Sequence, residues 1–265
     1  MMKILEKTKF NVEYDSKLHK RKLKKPNEDK LFCDSENGIF ILLDGITRVH
    51  NEYEEAPYTS AAAKVGEIFI DEVYNYIMQD INNPFPELLL KGAISTANAK
   101  LNSYRQIKSQ KDWGFYPATL GFISLLRENT LYYVNAGDCI ATLIRRNSKI
   151  LFGCEWALEA LEKLDITKKE RYQNYCNHPH NPLSYTVFNG DDEVELGLEY
   201  SYIDTHAGDT LIIASDGISN YIKYEKIQTL LSQSVTQMIE DSYKYDVPPY
   251  AEYADDKSLI KISFI

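Results

Sequence analysis

Acidic residues stand at the ends of several apolar runs of this chain, or in tight turns beside them. They are Glu28 and Asp29 in NEDKLF, Asp44 in FILLDG, Asp138 in NAGDC, Asp216 in ASDG, and Asp255 and Asp256 in YADDKSLI. A carboxylate that ends a buried strand is costly unless something holds its charge. If these strand ends meet at one rim, the carboxylates repel one another, and hard divalent cations relieve the repulsion. Mg2+ and Mn2+ take near-octahedral shells of carboxylate, carbonyl and water oxygens. Gly45, directly after Asp44, has no Cβ, so its backbone can approach such an ion and its carbonyl can serve as a further ligand. Taken singly, an Asp-Gly after a strand is more often a plain turn. What lifts the set is its order along the chain: NED before a short strand, DG at the end of the next, GD in a central hairpin, SDG after an apolar strand, and DD before the last strand.

The elements that must carry these residues follow from periodicity. KFNVEYDS, KLFCDS and GIFILLD read as strands, separated by a basic run and the turn signal ENG, and as neighbours in one sheet. From about 56 to 80, Val65, Ile68, Phe69, Val73, Tyr76 and Ile77 recur at helical spacing, and NNPFPELLLKGAISTANAKLNSYRQI starts a second helix after a proline break. Residues 117–152 return to strands joined by RENT and RRNSK, an antiparallel meander. The stretch 154–182 holds short helical patterns and then the irregular CNHPHNP. Strands resume at LSYTVF and LEYSYIDTHAGDTLIIAS, a helix is expected at about 223–242, and SLIKISFI closes the chain as a strand. Strand runs and helix pairs alternating in blocks predict an α+β architecture, two stacked antiparallel sheets covered by helices, and not a doubly wound parallel sheet.

Composition narrows the function classes. Acidic residues outnumber basic ones 39 to 30, for a net charge of −9, which argues against broad nucleic-acid binding. The local exception, KLHKRKLKK at 17–25, reads as a solvated loop or strand edge, or as a contact for a phosphorylated or acidic partner. Cys33, Cys139, Cys154 and Cys176 form no CxxC pair and fit reduced thiols. Cys176, His178 and His180 lack a fourth ligand nearby, and a polar surface loop explains them better than zinc does. No apolar run approaches the roughly 20 residues of a membrane helix, and MMKILEKTKF lacks the centre of a signal peptide, so a cytoplasmic location without membrane contact is expected. Twenty tyrosines, with many Asn and Lys, fit a bacterial coding bias.

With these motifs in order, the sequence resembles the metal-dependent protein phosphatases of type 2C from about residue 8 to 265. NED, FILLDG, YPATLGFISLLRENTLYYVNAGDCIATLIRR, DTLIIASDGISNYI and DDKSLIKI each match one of the family's motifs. The resemblance implies one domain over 1–265, a four-layer α-β-β-α sandwich, with a variable flap-like insertion at about 154–182 beside the active site. It implies two Mn2+ or Mg2+ ions bridged by Asp44. The Gly45 carbonyl completes one shell and Asp216 with Asp255 the other; Glu28 and Asp29 hold metal-bound waters. Asp138, with Asp216, contributes to a third, weaker site, and Asp256 orients its neighbour more than it binds. Catalysis then rests on Asp44, Asp216 and Asp29. The reaction implied is hydrolysis of phosphoserine or phosphothreonine in a protein, the target of a Ser/Thr kinase, by a metal-bridged hydroxide without a phosphoenzyme.

The chain also departs from the family pattern. Where many members carry an Arg before the acidic pair as a phosphate anchor, it has Lys24, a point charge without a bidentate fork. Arg48 and Arg21 are the other candidates for that contact. Ile46 and Thr47 replace His-Gly after Asp-Gly, and Cys139 and Ile140 replace Ser-Arg after Gly-Asp. These changes leave the metal set whole and keep open an alternative, a phosphatase-like sensor or regulatory module with little turnover. A covalent aspartyl-phosphate route is disfavoured, because Leu42 stands where an Asp-x-Asp-Gly nucleophile motif needs its first acid.

Overall fold

The computed structural model describes residues 9–20, 26–46, 60–107, 117–152, 160–161, 163–247 and 255–265. Among the described residues, ten strands form two five-stranded sheets. In one sheet lie β1 (Phe10–Lys17), β10 (Lys257–Phe264), β9 (Thr210–Ala214), β6 (Ile140–Arg145) and β7 (Ser148–Phe152), in that order. The other runs β2 (Lys30–Asp34), β3 (Ile39–Ile46), β4 (Ala118–Arg127), β5 (Thr130–Ala136) and β8 (Tyr200–Asp204). Every strand pairing is antiparallel. With helices on the outer faces, this is the expected α+β sandwich.

The burial pattern explains the layers. Ile39 to Leu43 of β3 are all fully buried, as a strand covered on both faces must be. One face meets the other sheet, and the other packs under α1 (Ala61–Gln79) and α2 (Pro86–Ile107). Ser60 caps α1 by accepting the Ala63 N–H at 3.3 Å, and Val65, Phe69, Val73 and Ile77 form its buried stripe at four-residue spacing. A second core, of Ile140, Ile144, Ile212, Ala214 and Leu259, lies between the first sheet and α4 (Asp216–Tyr224), α5 (Ile227–Ser232) and α6 (Val235–Ser242). A further short helix, α3 (Lys168–Tyr175), starts with a capping box between Thr167 and Glu170.

Four expectations are corrected. First, β1 joins the opposite sheet from β2 and β3, pairing with the C-terminal strand from Phe10↔Phe264 to Lys17↔Lys257. Second, residues 117–152 are not one meander. They are two hairpins in different sheets, and the chain crosses between sheets at Gly137–Asp138–Cys139. Gly137 has φ +78°, and a Cβ there would collide with the Leu120 side chain, so only glycine fits the crossing.

Third, the helix expected at 223–242 is three short ones beginning at Asp216. Lys226 and Ser234 take extended backbone at the breaks, with ψ of 144° and 159°, and Ser234 Oγ accepts the Gln237 N–H. Two sheet lysines close the helix ends. Lys149 Nζ donates to the carbonyls of Ile222 and Glu225 at 2.8 and 2.5 Å, and Lys261 Nζ to those of Leu231 and Gln233 at 3.1 and 2.7 Å. Fourth, LSYTVF makes no strand. Asn177 takes the place of a neighbouring strand, because its Nδ2 donates to the Val187 carbonyl at 3.1 Å and its Oδ1 accepts the Val187 N–H at 2.9 Å.

Candidate metal centre

The register of the two sheets brings the acidic motifs to one rim. In the first sheet the end of β9 lies beside the starts of both neighbours, Ala214 opposite Leu259 of β10 and Ile140 of β6. Asp216 follows β9, Asp255 precedes β10 and Asp138 precedes β6. In the other sheet Lys30 pairs with Leu43, so Glu28 and Asp29 meet the part of β3 that carries Asp44. Carboxylate oxygens of Asp44, Asp138 and Asp216 all lie within 4.8 Å of one another, a spacing that can hold a metal ion.

Neither Asp-Gly pair is a turn. Asp44 and Gly45 sit inside β3, paired with Leu120 and Thr119, and the strand runs on to Ile46, so Asp44 does not end it. Asp216 and Gly217 open α4, where the helix dipole favours a negative charge. Each glycine is required by close approach to the backbone of an acidic pair. A Cβ on Gly45 would lie 2.7 Å from the Glu28 carbonyl oxygen and 2.8 Å from its Cβ, and one on Gly217 would collide with the Asp256 carbonyl. The two motifs are thus built alike, one per sheet.

The electrostatics are those of desolvated carboxylates crowded by like charges. Burial first, and then the charges of Asp216, Asp29, Asp255 and Asp138, push the Asp44 carboxyl well above its ordinary range. Asp216 is raised by burial and by Asp255, Asp138 and Asp29, offset in part by a hydrogen bond with Asp44. Burial and the Asp256 charge push Asp29 up to about 7, against the pull of hydrogen bonds with Ser258 and Ser215. Oδ2 of Asp29 and Oδ1 of Asp216 are buried without a hydrogen-bond partner. An all-oxygen donor set with orphaned buried oxygens fits hard divalent cations.

No protein-family model matches the sequence, and no curated protein matches it. Solved structures do match over nearly the whole chain. The Mycobacterium tuberculosis serine/threonine phosphatase PstP/Ppp aligns at a TM-score of 0.66 and 16% identity, covering 96% of this chain and 98% of that one. The catalytic domain of PstP in complex with two manganese ions aligns at 0.66 and 15%, covering 97% and 98%. The fold is that of the metal-dependent protein phosphatases of type 2C. PppA, a key regulatory component of T6SS in Pseudomonas aeruginosa, aligns at 0.64 and 14%, covering 98% and 99%.

Within this type 2C fold, the remaining expected site residues fall into distinct places. Glu28 is buried and its Oε1 accepts a hydrogen bond from Ser60 Oγ. Asp255 Oδ1 accepts the Asp256 N–H at 2.8 Å. Asp256 accepts two backbone N–H groups, from His19 to Oδ1 at 3.1 Å and from Glu28 to Oδ2 at 3.0 Å, and so ties the two acidic pairs together. Lys24, Arg21 and Arg48 lie outside the described residues. Cys176 is buried whereas His178 and His180 are exposed, as a surface loop requires. No described helix is long and apolar enough to cross a membrane.

Three supporting residues were not anticipated. Ser60, the α1 cap, holds Glu28. Thr119 Oγ1 donates to the Asp44 carbonyl at 2.8 Å and its backbone pairs with Phe188, bringing the 176–189 segment to the rim. Lys257, the third residue of DDKS, is fully buried behind the carboxylates. A serine before an Ala-rich helix was the available signal for Ser60; a lone lysine beside two acids gave none.

Proposed function

We propose that this chain is a metal-dependent phosphomonoesterase acting on phosphoserine and phosphothreonine in proteins. The observation that carries the reading is the half-buried cluster of Asp44, Asp138 and Asp216, with oxygens mutually within 4.8 Å, on a fold shared with Ser/Thr phosphatases. Two Mn2+ or Mg2+ ions, when bound, acidify water for attack on phosphorus and shield the phosphate charge.

The chain's own residues hold and orient. Asp44 is carried inside β3 with its carbonyl pinned by Thr119, and its carboxylate would serve both ions. The Gly45 carbonyl, Asp216 and Asp255 would be further ligands of the ions, and Glu28 and Asp29 would hold ordered water. Asp138 and Asp216 supply the third, weaker position. Asp256 orients the segments of Glu28 and Asp255, since both its oxygens already accept backbone N–H groups. Lys24, with Arg48 or Arg21 as the alternatives, contacts the substrate phosphate. The flap at about 154–182 selects among cytosolic phosphoproteins, each the target of a Ser/Thr kinase.

Phosphate release from phosphoserine and phosphothreonine peptides, with and without Mn2+, tests this reading. Hydrolysis should need the metal, stop in excess EDTA and run well ahead of hydrolysis of free nucleotides. Equal activity in EDTA, or nucleotides preferred by a wide margin, would overturn it. A second reading, a phosphatase-like sensor, is favoured by Cys139 and Ile140, fully and almost fully buried beside Asp138. It predicts Mn2+ binding without turnover in the same assay.

A further inference from the structure

Behind the carboxylates lies a second buried polar network that phosphoester chemistry does not use. Lys257 opens β10 with no solvent exposure. Its Nζ donates to the Gly217 carbonyl at 2.5 Å and to Asp246 Oδ1 at 2.7 Å, and lies 4.9 Å from the centre of the Tyr243 ring. The other oxygen of Asp246 bonds His19 Nε2 at 2.8 Å, and the His19 N–H returns to Asp256, the residue before Lys257. Asp256 in turn holds the Glu28 N–H.

A loop closes through Lys257, Asp246, His19 and Asp256, and its branches to Gly217 and Glu28 tie it to three stretches that bear rim carboxylates: Asp216 in the first turn of α4, Asp255 before β10, and Glu28 and Asp29 before β2. A permanent buried cation is an expensive way to hold a turn of helix, and it persists only when paired. Asp246 supplies the pair. The first-turn carbonyl of a helix already has an intrahelical partner available, so the bond from Lys257 to Gly217 is an additional tether on the residue next to Asp216.

We propose that Lys257 is a positioning residue of the metal centre: by gripping the Gly217 carbonyl and, through Asp246 and His19, the segment leading to Glu28, it sets the placement of Asp216 relative to the acidic pairs of both sheets. The inference rests on the metal-centre reading above and assigns to Lys257 no contact with substrate or ion. It accounts for a lysine buried on the helix-facing side of β10, where Leu259 is apolar.

The test is Mn2+ affinity by calorimetry, with melting temperature in EDTA as the check on folding. Lys257→Met removes the tether and takes the ammonium from Asp246, leaving that carboxylate only its His19 contact, which costs stability. The double variant Lys257→Met/Asp246→Asn removes both charges and restores the balance. Both should bind Mn2+ roughly ten- to hundredfold more weakly than the wild type, as losses behind a ligand shell do. In the double variant the weakening should persist although the melting temperature recovers. Wild-type affinity in the folded double variant would show that Lys257 is merely structural and overturn the inference. Absence of Mn2+ binding by the wild-type protein would instead overturn the metal centre itself.

Discussion

The two ends of β9 treat the same side chain in opposite ways. Asp209, just before the strand, is buried and gripped by Arg145, whose Nε lies 3.0 Å from Oδ1 and whose second terminal nitrogen lies 2.6 Å from Oδ2. That partner and the His206 N–H hold its carboxyl below the usual range despite burial. Asp216, just past the other end, faces Asp44, Asp138, Asp29 and Asp255 and is pushed the other way. Glu240 repeats the first pattern at the surface, lowered to about 2 by Lys20 and Lys17. Asp209 and Glu240 are held by the protein's own cations, whereas at the rim Asp44 and Asp216 are crowded by like charges whose repulsion an external cation could relieve.

The comparison breaks most sharply under substitution at the rim. Asp44→Asn keeps the shape and removes one of the crowded charges, so turnover should fall on the order of a thousandfold or more while the fold survives. Its melting temperature in EDTA should match or exceed that of the wild type, because repulsion is relieved. Asp216→Asn should behave alike, the double variant should lose little more than either single, and Asp138→Asn should be milder. Phosphatase assays and melting curves in EDTA measure both halves. Full activity in Asp44→Asn would remove the rim from the mechanism.

The pH dependence of the metal-free protein comes next in size. Unfolded aspartates titrate near pH 4, whereas Asp29 in the fold is pushed up to about 7 and Asp44 and Asp216 are raised as well. Between those limits the folded state binds more protons than the unfolded one, so stability in EDTA should fall as pH rises through that window, by up to about 1.4 kcal/mol per pH unit for each proton retained. Saturating Mn2+ should remove or reverse the slope, because metal takes the place of the protons. Melting curves at several pH values, with and without metal, read this directly; a metal-free protein that gains stability from pH 4 to 7 would contradict the crowded rim.

At the opposite end of β9, Arg145→Ala should cost about 2 kcal/mol, the usual worth of hydrogen bonds to a charged group. The loss should be the same with and without Mn2+, and the affinity for metal should not change. A metal-dependent effect of Arg145→Ala would mean that the two ends are coupled.

Much of the rim was legible in the sequence because its signals are local: an acid flanked by glycine or a second acid, at the boundary of an apolar run. The α-β-β-α layering was legible for a similar reason, since runs such as IFILLD and TLIIA are apolar on both faces. What was not legible depends on distant partners. That β1 pairs with β10 while β2 pairs with β3 is set by tertiary packing, as KFNVEYDS suits either sheet. The crossing at Gly137–Asp138 reads locally as a hairpin turn. LSYTVF looked like a strand because Tyr185, Val187 and Phe188 are indeed buried; what satisfies the Val187 backbone is the Asn177 side chain, whose role appears only once the chain is folded. Lys257 was invisible because a lysine after two acids ordinarily reads as surface.

Calorimetric titration of the metal-free protein with Mn2+ tests the central claim most directly. The wild-type protein should bind two ions tightly, with release of protons near neutral pH, and at a free concentration of 100 times the dissociation constant a single such site should stabilise the fold by about 2.7 kcal/mol. Asp44→Asn should lose both tight sites together, since in the proposed centre one carboxylate serves both. A wild-type protein that binds no Mn2+, or an Asp44→Asn variant that still binds two ions with unchanged affinity, would contradict the account.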